Sequence, residues 1–349
     1  MSYVTPKFRH PRLPTNSIGL TIADYDGAIS TLCAGCGHDS IAGAIRYACF
    51  KSSIPPHRIA KLSGIGCSSK MPTYFMSRSH GFNSVHGRMP SVATGASVAN
   101  RQLTYIGVSG DGDTASIGMG QFIHLVRRNV NMTYIVANNG CYGLTKGQDS
   151  ATADLGSVSK YGDVNGFEGI DLASLAILQG ASFVARSFSG DKEQLEPLIR
   201  AAMAHNGFAF IDVVSPCVTF NNHAGSTKSY SETRDHLDAM PLDFVPMRDE
   251  IRTQYAEGTT KSVTLHDGSV IHLKKAIEGH RTEDRQAALN TIQTANAEGR
   301  ILTGLLFLDP DTKDLSTGME LASRPLNELG KDELCPGSKV LKSINEGLR

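Results

Sequence analysis

Two rhythms of apolar residues alternate along the chain. Short runs rich in apolar and β-branched side chains have the length and composition of buried strands: RIAKLS from 58, LTYIGV from 103, and the stretches 132–137, 183–186 and 208–214. Between them apolar residues return every three or four positions, as on one face of a helix. Ile41, Ala44, Ile45, Ala48 and Cys49 follow a cap at Asp39 or Ser40, and Met119, Phe122, Ile123 and Val126 precede the cations Arg127 and Arg128, which suit a helix C-terminus. Asp171 caps a helix over 172–179 that Gly180 ends, and another runs over about 194–205, where Pro197 fits only in the first turn. This alternation to about residue 220 predicts an α/β fold on a doubly wound parallel sheet. Right-handed crossovers then bring the turns after the strands to one carboxyl edge.

Beyond 240 the rhythm changes. SVTLHDGSVIHL reads as a hairpin turned at Asp267 and Gly268, and a helix over 282–298 follows without returning to the sheet pattern. The expected organisation is a polar, proline-bearing arm over 1–30, a central domain over 31–240 and a C-terminal appendage over 241–349.

Composition narrows the class. The 34 basic and 34 acidic side chains cancel, so no charge excess argues for nucleic acid or a membrane surface. No apolar run is long enough to span a bilayer, and the opening MSYVTPKFRHPRLP lacks the apolar core of a signal peptide, which points to a cytoplasmic protein. Seven unevenly placed cysteines do not make a secreted disulfide framework. In a reducing compartment such clusters more often bind metal.

The chemistry concentrates over 110–148. The strand at 103 breaks at Gly110, Asp111 and Gly112; a helix follows; the strand over 132–137 then ends in Asn138, Asn139 and Gly140. Both turns fall at the same sheet edge, where Asp111 offers a carboxylate oxygen, Asn139 an amide oxygen and the loop beyond a carbonyl. With diphosphate and water oxygens that set completes an octahedron for Mg2+. GDG and NN at this spacing, each directly after an apolar strand, resemble the thiamine diphosphate fingerprint. The bland alternative is that the glycines only turn the chain and the asparagines only cap a strand.

The cysteines are read one by one. Cys33 and Cys36, with Gly35 and Gly37 interleaved, fit an iron–sulfur half-site, but also a zinc half-site or a redox pair. Cys67, in a glycine-flanked turn directly after a strand, is a third ligand candidate, and Cys217, after the strand over 208–214 breaks at Pro216, is a fourth. Cys49 reads as a small apolar filler of the core, and Cys335 sits in a polar tail. His80, His86 and Arg88 precede a small-residue helix; His86 is either a hydrogen-bonded turn residue or a neighbour of the cofactor, and Arg88 either meets a substrate carboxylate or makes an ordinary ion pair. The stretch 151–167 reads as a loop covering the site.

Six motifs in order, CAGCGH, GIGCSS, HGRMPSVATG, GDGD, NNGCYGLTKGQ and SPCVTFNN, resemble the beta subunits of the 2-oxoacid:ferredoxin oxidoreductases, most of all those acting on 2-oxoglutarate. The likeness covers roughly residues 20–240. It implies one [4Fe–4S] cluster on Cys33, Cys36, Cys67 and Cys217, and Mg2+ on Asp111, Asn139 and the main-chain carbonyl of Cys141. Thiamine diphosphate would be supported by Ile65, Gly66, Cys67 and Ser68, by His86, by Gly110 to Asp113 and by Gly143, Leu144 and Thr145. Two positions depart from the family pattern: Asn138 where aspartate is frequent, and Cys141 where a branched apolar residue is usual. The implied reaction is decarboxylation of a 2-oxoacid, with electrons passed to ferredoxin and the acyl group captured by coenzyme A; reversal would be reductive carboxylation. Only the diphosphate-binding half of such a site is present, so an alpha subunit is expected to supply the rest, in an (alpha-beta)2 assembly. Lys70 and Arg88 are the candidate cations for the distal carboxylate of 2-oxoglutarate; pyruvate or a broad range of 2-oxoacids is the alternative. Rival readings are a non-oxidative thiamine enzyme subunit with zinc on its cysteines, and a non-catalytic binding module with structural zinc.

Overall fold

The apolar runs become strands because each can be buried on both faces, as a parallel sheet covered by helices requires. The computed structural model describes residues 10, 12–159, 162–219, 253–264, 270–276, 280–335 and 337–348. Its strands are β1 (Ile59–Ser63), β2 (His80–Asn83), β3 (Thr104–Gly110), β4 (Met132–Asn138), the short hairpin β5 (Cys141–Tyr142) and β6 (Gln148–Asp149), then β7 (Phe183–Phe188), β8 (Phe208–Val214), β9 (Thr260–Thr264), β10 (Val270–Lys275) and β11 (Ile301–Leu308). Apart from the hairpin they form one nine-stranded sheet in the order β2-β1-β3-β4-β8-β7-β11-β10-β9. The strands from β2 to β7 in that order pair in parallel, which is the doubly wound core expected from the sequence.

Two layers of helices cover it. α1 (Gly37–Lys51) and α5 (Lys192–Ala204) lie on one face; α2 (Met89–Ala99), α3 (Met119–Arg127), α4 (Leu172–Leu178) and α6 (Arg285–Ala297) lie on the other. The period-two alternation of the central strands divides the core between the faces. Ile135, Ile211 and Val213 pack towards α1 and α5, while Tyr134, Phe208 and Phe210 pack under α3. There Phe122 meets Phe210 and Tyr134 with ring centroids 5.2 and 5.5 Å apart. Full burial of Phe122 contributes about 1.5–3 kcal/mol and fixes α3, hence the turn that precedes it.

Three differences from the sequence reading have physical causes. α5 begins earlier, because Asp191 accepts the Gln194 N–H as its cap, so Pro197 sits in the second turn rather than the first. The amide that Pro197 lacks would have met the carbonyl of the exposed Glu193, which water can serve. Between β3 and α3 the chain makes a wide π-type turn over Gly112–Ile117 instead of entering the helix directly. Most consequential, the C-terminal stretch does return to the sheet. β11 pairs antiparallel with β7 from Gly304 opposite Arg186 to Leu308 opposite Phe183, and β10 and β9 continue outward. An otherwise open edge is thereby covered, and β7 is buried at all six positions. β9 and β10 pair antiparallel as the hairpin predicted, while its turn at Asp267 and Gly268 lies outside the described residues.

A buried cation needs explanation in such a core. Arg186 on β7 donates through Nε to Asp212 at 2.9 Å and through Nη2 to Asp171 at 2.8 Å. Two carboxylates around one guanidinium satisfy the desolvated charge. Burial alone would raise the Asp171 pKa, but Arg186 and the Ser174 amide outweigh it and hold it near about 2. Asn138, at the end of β4, donates its side-chain amide to Asp212 at 3.1 Å.

Candidate functional site

Because β1, β3, β4 and β8 run in parallel, the turns after Ser63, Gly110, Asn138 and Val214 all open on one edge, the usual place for sites in open α/β sheets. Ile65, Gly66, Cys67, Ser68, His86, Gly110, Asp111, Gly112, Asp113, Asn139, Cys141, Gly143, Leu144 and Thr145, drawn from separate motifs of the sequence, line a single cavity of about 80 Å3. The cavity is small against the roughly 300–1,000 Å3 that encloses a cofactor-sized ligand.

Asp111 is 1% exposed and held by three donors. Its Oδ1 accepts the Asn139 N–H at 3.3 Å, and its Oδ2 accepts the hydroxyls of Thr152, at 2.7 Å, and Ser150. Asn139 turns its side-chain oxygen back to the Cys141 N–H at 3.1 Å, a turn that Gly140 permits with φ of 69°. One buried carboxylate, one amide oxygen and the adjacent main-chain carbonyl are oxygen donors suited to Mg2+ that shares a diphosphate. Such a set is incomplete without the phosphate. Accordingly, no three His, Cys, Asp or Glu side chains among the described residues gather around a point as a single protein-held ion would demand.

Asp113 has a different task. It is buried and accepts from the Gly87 N–H at 2.7 Å and the Ser109 hydroxyl at 2.9 Å, and His86 Nδ1 rests against its Oδ1. His86 therefore sits in ionic contact with Asp113 and lines the cavity, with its ring 6.0 Å from that of Tyr142 in an edge-on arrangement. Tyr142 donates its hydroxyl to the Gly112 carbonyl at 3.0 Å. A Cβ at Gly112 would lie 2.5 Å from the Tyr142 ring, so the close passage of the GDG turn under that ring requires glycine.

The cysteines separate into two kinds. Burial raises the Cys36 thiol pKa, and the charges of Cys217 and Cys33 push it the same way; burial likewise raises Cys67, again with Cys217 and Cys33 adding to it. Cys36 and Cys67 are thus each within electrostatic reach of Cys33 and Cys217. Thiolates brought close would repel unless a cationic centre shared them, and as a donor set four cysteines are the type that would hold an iron–sulfur cluster. The Cys33 sulfur also accepts the Thr219 hydroxyl at 3.3 Å. Cys49 is fully buried in the apolar layer under α1, where burial pushes its thiol up to about 12, and Cys335 is exposed.

The remaining candidates fall outside the pocket wall. Lys70 is exposed, one turn beyond Cys67 and close enough to lower its pKa. Arg88 is exposed and donates to the carbonyls of Ile117, His86 and Gly87, and among the described residues it has no ion-pair partner. Sequence reasoning missed His38, Tyr142 and Ala137 on the wall, and Ser150 and Thr152 behind Asp111. His38 directly follows the CxxC turn, a signal that was available. It is 1% exposed, burial lowers its pKa to about 4, and its Nδ1 lies 2.7 Å from the Ser215 hydroxyl, tying the Cys36 turn to the Cys217 turn.

Comparisons with known proteins identify the chain's relatives. Residues 64–213 match the family model described as thiamine pyrophosphate enzyme, C-terminal TPP binding domain. The chain is 38% identical over 243 residues to the 2-oxoacid:ferredoxin oxidoreductase subunit beta of Saccharolobus solfataricus, covering 68% of this chain and 79% of that one. It is 40% identical over 191 residues to the 2-oxoglutarate oxidoreductase subunit KorB of Mycobacterium tuberculosis, covering 54% and 51%. Among solved structures it is similar to the 2-oxoglutarate:ferredoxin oxidoreductase from Magnetococcus marinus with 2-oxoglutarate, coenzyme A and succinyl-CoA bound, with a TM-score of 0.69, 30% identity, and coverage of 86% of this chain and 89% of that one.

Proposed function

This chain belongs to the beta subunits of the 2-oxoacid:ferredoxin oxidoreductases, and we propose that, paired with an alpha subunit, it oxidatively decarboxylates 2-oxoglutarate to succinyl-CoA and carbon dioxide. Cys33, Cys36, Cys67 and Cys217 would hold one [4Fe–4S] cluster, which would supply the route for electrons to ferredoxin, and the reaction would be reversible. The observation that carries this reading is the double membership of Cys67. Its thiol feels those of Cys33 and Cys217, and the same residue lines the pocket with Asp111 and Asn139. An electron source and an electron sink share a wall.

When bound, thiamine diphosphate supplies a nucleophilic carbon that can hold the electron pair released as carbon dioxide departs, and the cluster supplies a one-electron acceptor. The chain's residues do the rest by placement. Asp111, Asn139 and the Cys141 carbonyl would hold Mg2+ and so orient the diphosphate; Ser150 and Thr152 fix the Asp111 carboxylate. Gly143 to Thr145 and Ile65 to Ser68 close around the cofactor. Asp113 fixes the His86 ring against Tyr142, at the mouth. Cys33, Cys36, Cys67 and Cys217 hold the cluster, with Ser215 and His38 clamping two of their turns together. For the distal carboxylate of the substrate, Lys70 is the cation this reading retains, since Arg88 is engaged with carbonyls.

The cavity of about 80 Å3 is too small to enclose a cofactor-sized ligand, which supports completion of the site by an alpha subunit carrying the pyrimidine half; an (alpha-beta)2 assembly in the cytoplasm is part of the same proposal. The expected outcome of an anaerobic assay on the co-purified complex, with viologen reduction as readout, is coenzyme A-dependent turnover of 2-oxoglutarate well above that of pyruvate or branched 2-oxoacids. A complex that turns over only pyruvate contradicts the substrate assignment while leaving the reaction class intact.

A further inference from the structure

The loop between β6 and α4 behaves unlike a slack cover. Asn165 pins it from inside: its side-chain amide donates to the carbonyls of Ala153, Asp154 and Phe167, and its Oδ1 accepts the Phe167 N–H at 3.1 Å. Its backbone exchanges hydrogen bonds with Gly156 and Ser157, both at 2.8 Å, and the Ile170 N–H closes the loop on the Ala151 carbonyl at 2.7 Å. Yet the described part of this loop holds Phe167 82% exposed, Val164 66% and Leu155 54%, and Ile117 stands 52% exposed on the turn before α3. Phe167 and Val164 border a cavity of about 500 Å3 that also reaches Ser116 and Ser150. Large apolar side chains held rigidly in water mark an interaction surface.

We propose that this surface is where the alpha subunit docks, with Phe167 as its anchor, and that docking there is felt at Asp111. The inference rests on the functional reading above and names which face meets the partner. Three observations select the occupant. First, the patch is continuous with the cofactor pocket: the loop begins at Ser150 and Thr152, whose hydroxyls hold Asp111 Oδ2, and the Ala151 N–H meets the Ser116 hydroxyl at 3.3 Å. Second, the pocket of about 80 Å3 is too small to enclose a cofactor-sized ligand, so a chain that completes it would arrive at this rim. Third, the exposed carboxylates of Asp163 and Glu168 flank Phe167. They call for an apolar socket with a lysine or arginine rim. They oppose a second copy of the same face, since an isologous contact would set these carboxylates against one another, and they oppose an acidic electron carrier.

The test is co-expression of the full chain with its alpha subunit, capture through a tag on alpha, and titration of the purified subunits. F167D is expected to weaken association at least tenfold, F167S less, and F167L to restore most of it, with the melting temperature of the full beta chain unchanged in all three. Any gain in thiamine diphosphate affinity that alpha confers on the wild-type chain should disappear in F167D, while the affinity of the free beta chain stays the same. I344D, on the exposed apolar face of the C-terminal helix, serves as control and should assemble normally. Unchanged association of F167D, or loss in I344D instead, overturns the proposal and leaves the functional reading standing. A wild-type chain that takes up no alpha subunit overturns both.

Discussion

Replacing Asp111 by alanine is expected to abolish measurable binding of magnesium and thiamine diphosphate, and with it all turnover of the complex. Asp111 is the only carboxylate in the proposed ligand set, so its loss removes the charge that opposes the ion and the oxygen that positions the diphosphate. Removing groups that merely orient a ligand costs about 10–100-fold in metal affinity, so removal of the ligand itself should exceed that. The fold should survive. The Asn139 N–H and the hydroxyls of Ser150 and Thr152 lose their acceptor, at about 1–3 kcal/mol for each buried group that stays unsatisfied, and the hydroxyls can turn to other partners. Asp111→Asn, which keeps the shape, should bind almost as poorly and melt close to wild type. Cys141→Ala is the contrasting control, since a main-chain carbonyl survives loss of the side chain; calorimetric titration with both ligands should leave it near wild type. Retention of full affinity by Asp111→Asn would remove the metal assignment.

Cys36→Ala should separate the two centres. Of the four proposed cluster ligands Cys36 alone sits on the N-terminal boundary of α1, its thiol pKa is raised by burial and by Cys217 and Cys33, and it does not line the proposed cofactor cavity. The purified variant complex is expected to lose its iron and its brown colour, and to lose viologen reduction, while still binding thiamine diphosphate and magnesium. Cys335→Ala, at an exposed position, should keep full iron content. Anaerobic iron analysis and calorimetry read the two halves independently. An iron-replete Cys36→Ala would exclude this residue as a ligand.

Much of this site was legible because its residues sit in turns whose positions follow from strand direction alone. Once 103–108 and 132–137 were read as neighbouring parallel strands, Asp111 and Asn139 had to meet, and the same logic brought Cys67 and Cys217 to one rim. What was not legible depended on long-range packing. The run ILTGLLFL at 301 does not alternate and carries a glycine, so nothing in it announces that it will cover β7; that pairing is chosen by the open edge of a distant strand. His86 against Asp113, and Ser150 and Thr152 on Asp111, are contacts between side chains 27, 39 and 41 positions apart, set by how loops fold back over the rim. The early start of α5 turned on Asp191, a capping residue passed over in favour of the apolar rhythm.

A non-oxidative thiamine enzyme with zinc on its cysteines would use the same Asp111 and Asn139, so cofactor binding cannot discriminate it. The central claim is instead that reducing equivalents generated in the pocket reach a cluster held by Cys33, Cys36, Cys67 and Cys217. The most direct measurement is electron paramagnetic resonance on the anaerobic complex, frozen after mixing with 2-oxoglutarate and coenzyme A with no external acceptor present. The account predicts a reduced [4Fe–4S] signal that grows with substrate and is absent from Cys36→Ala. A wild-type complex that is colourless and zinc-loaded, or one whose cluster stays oxidised while carbon dioxide is released, would contradict it.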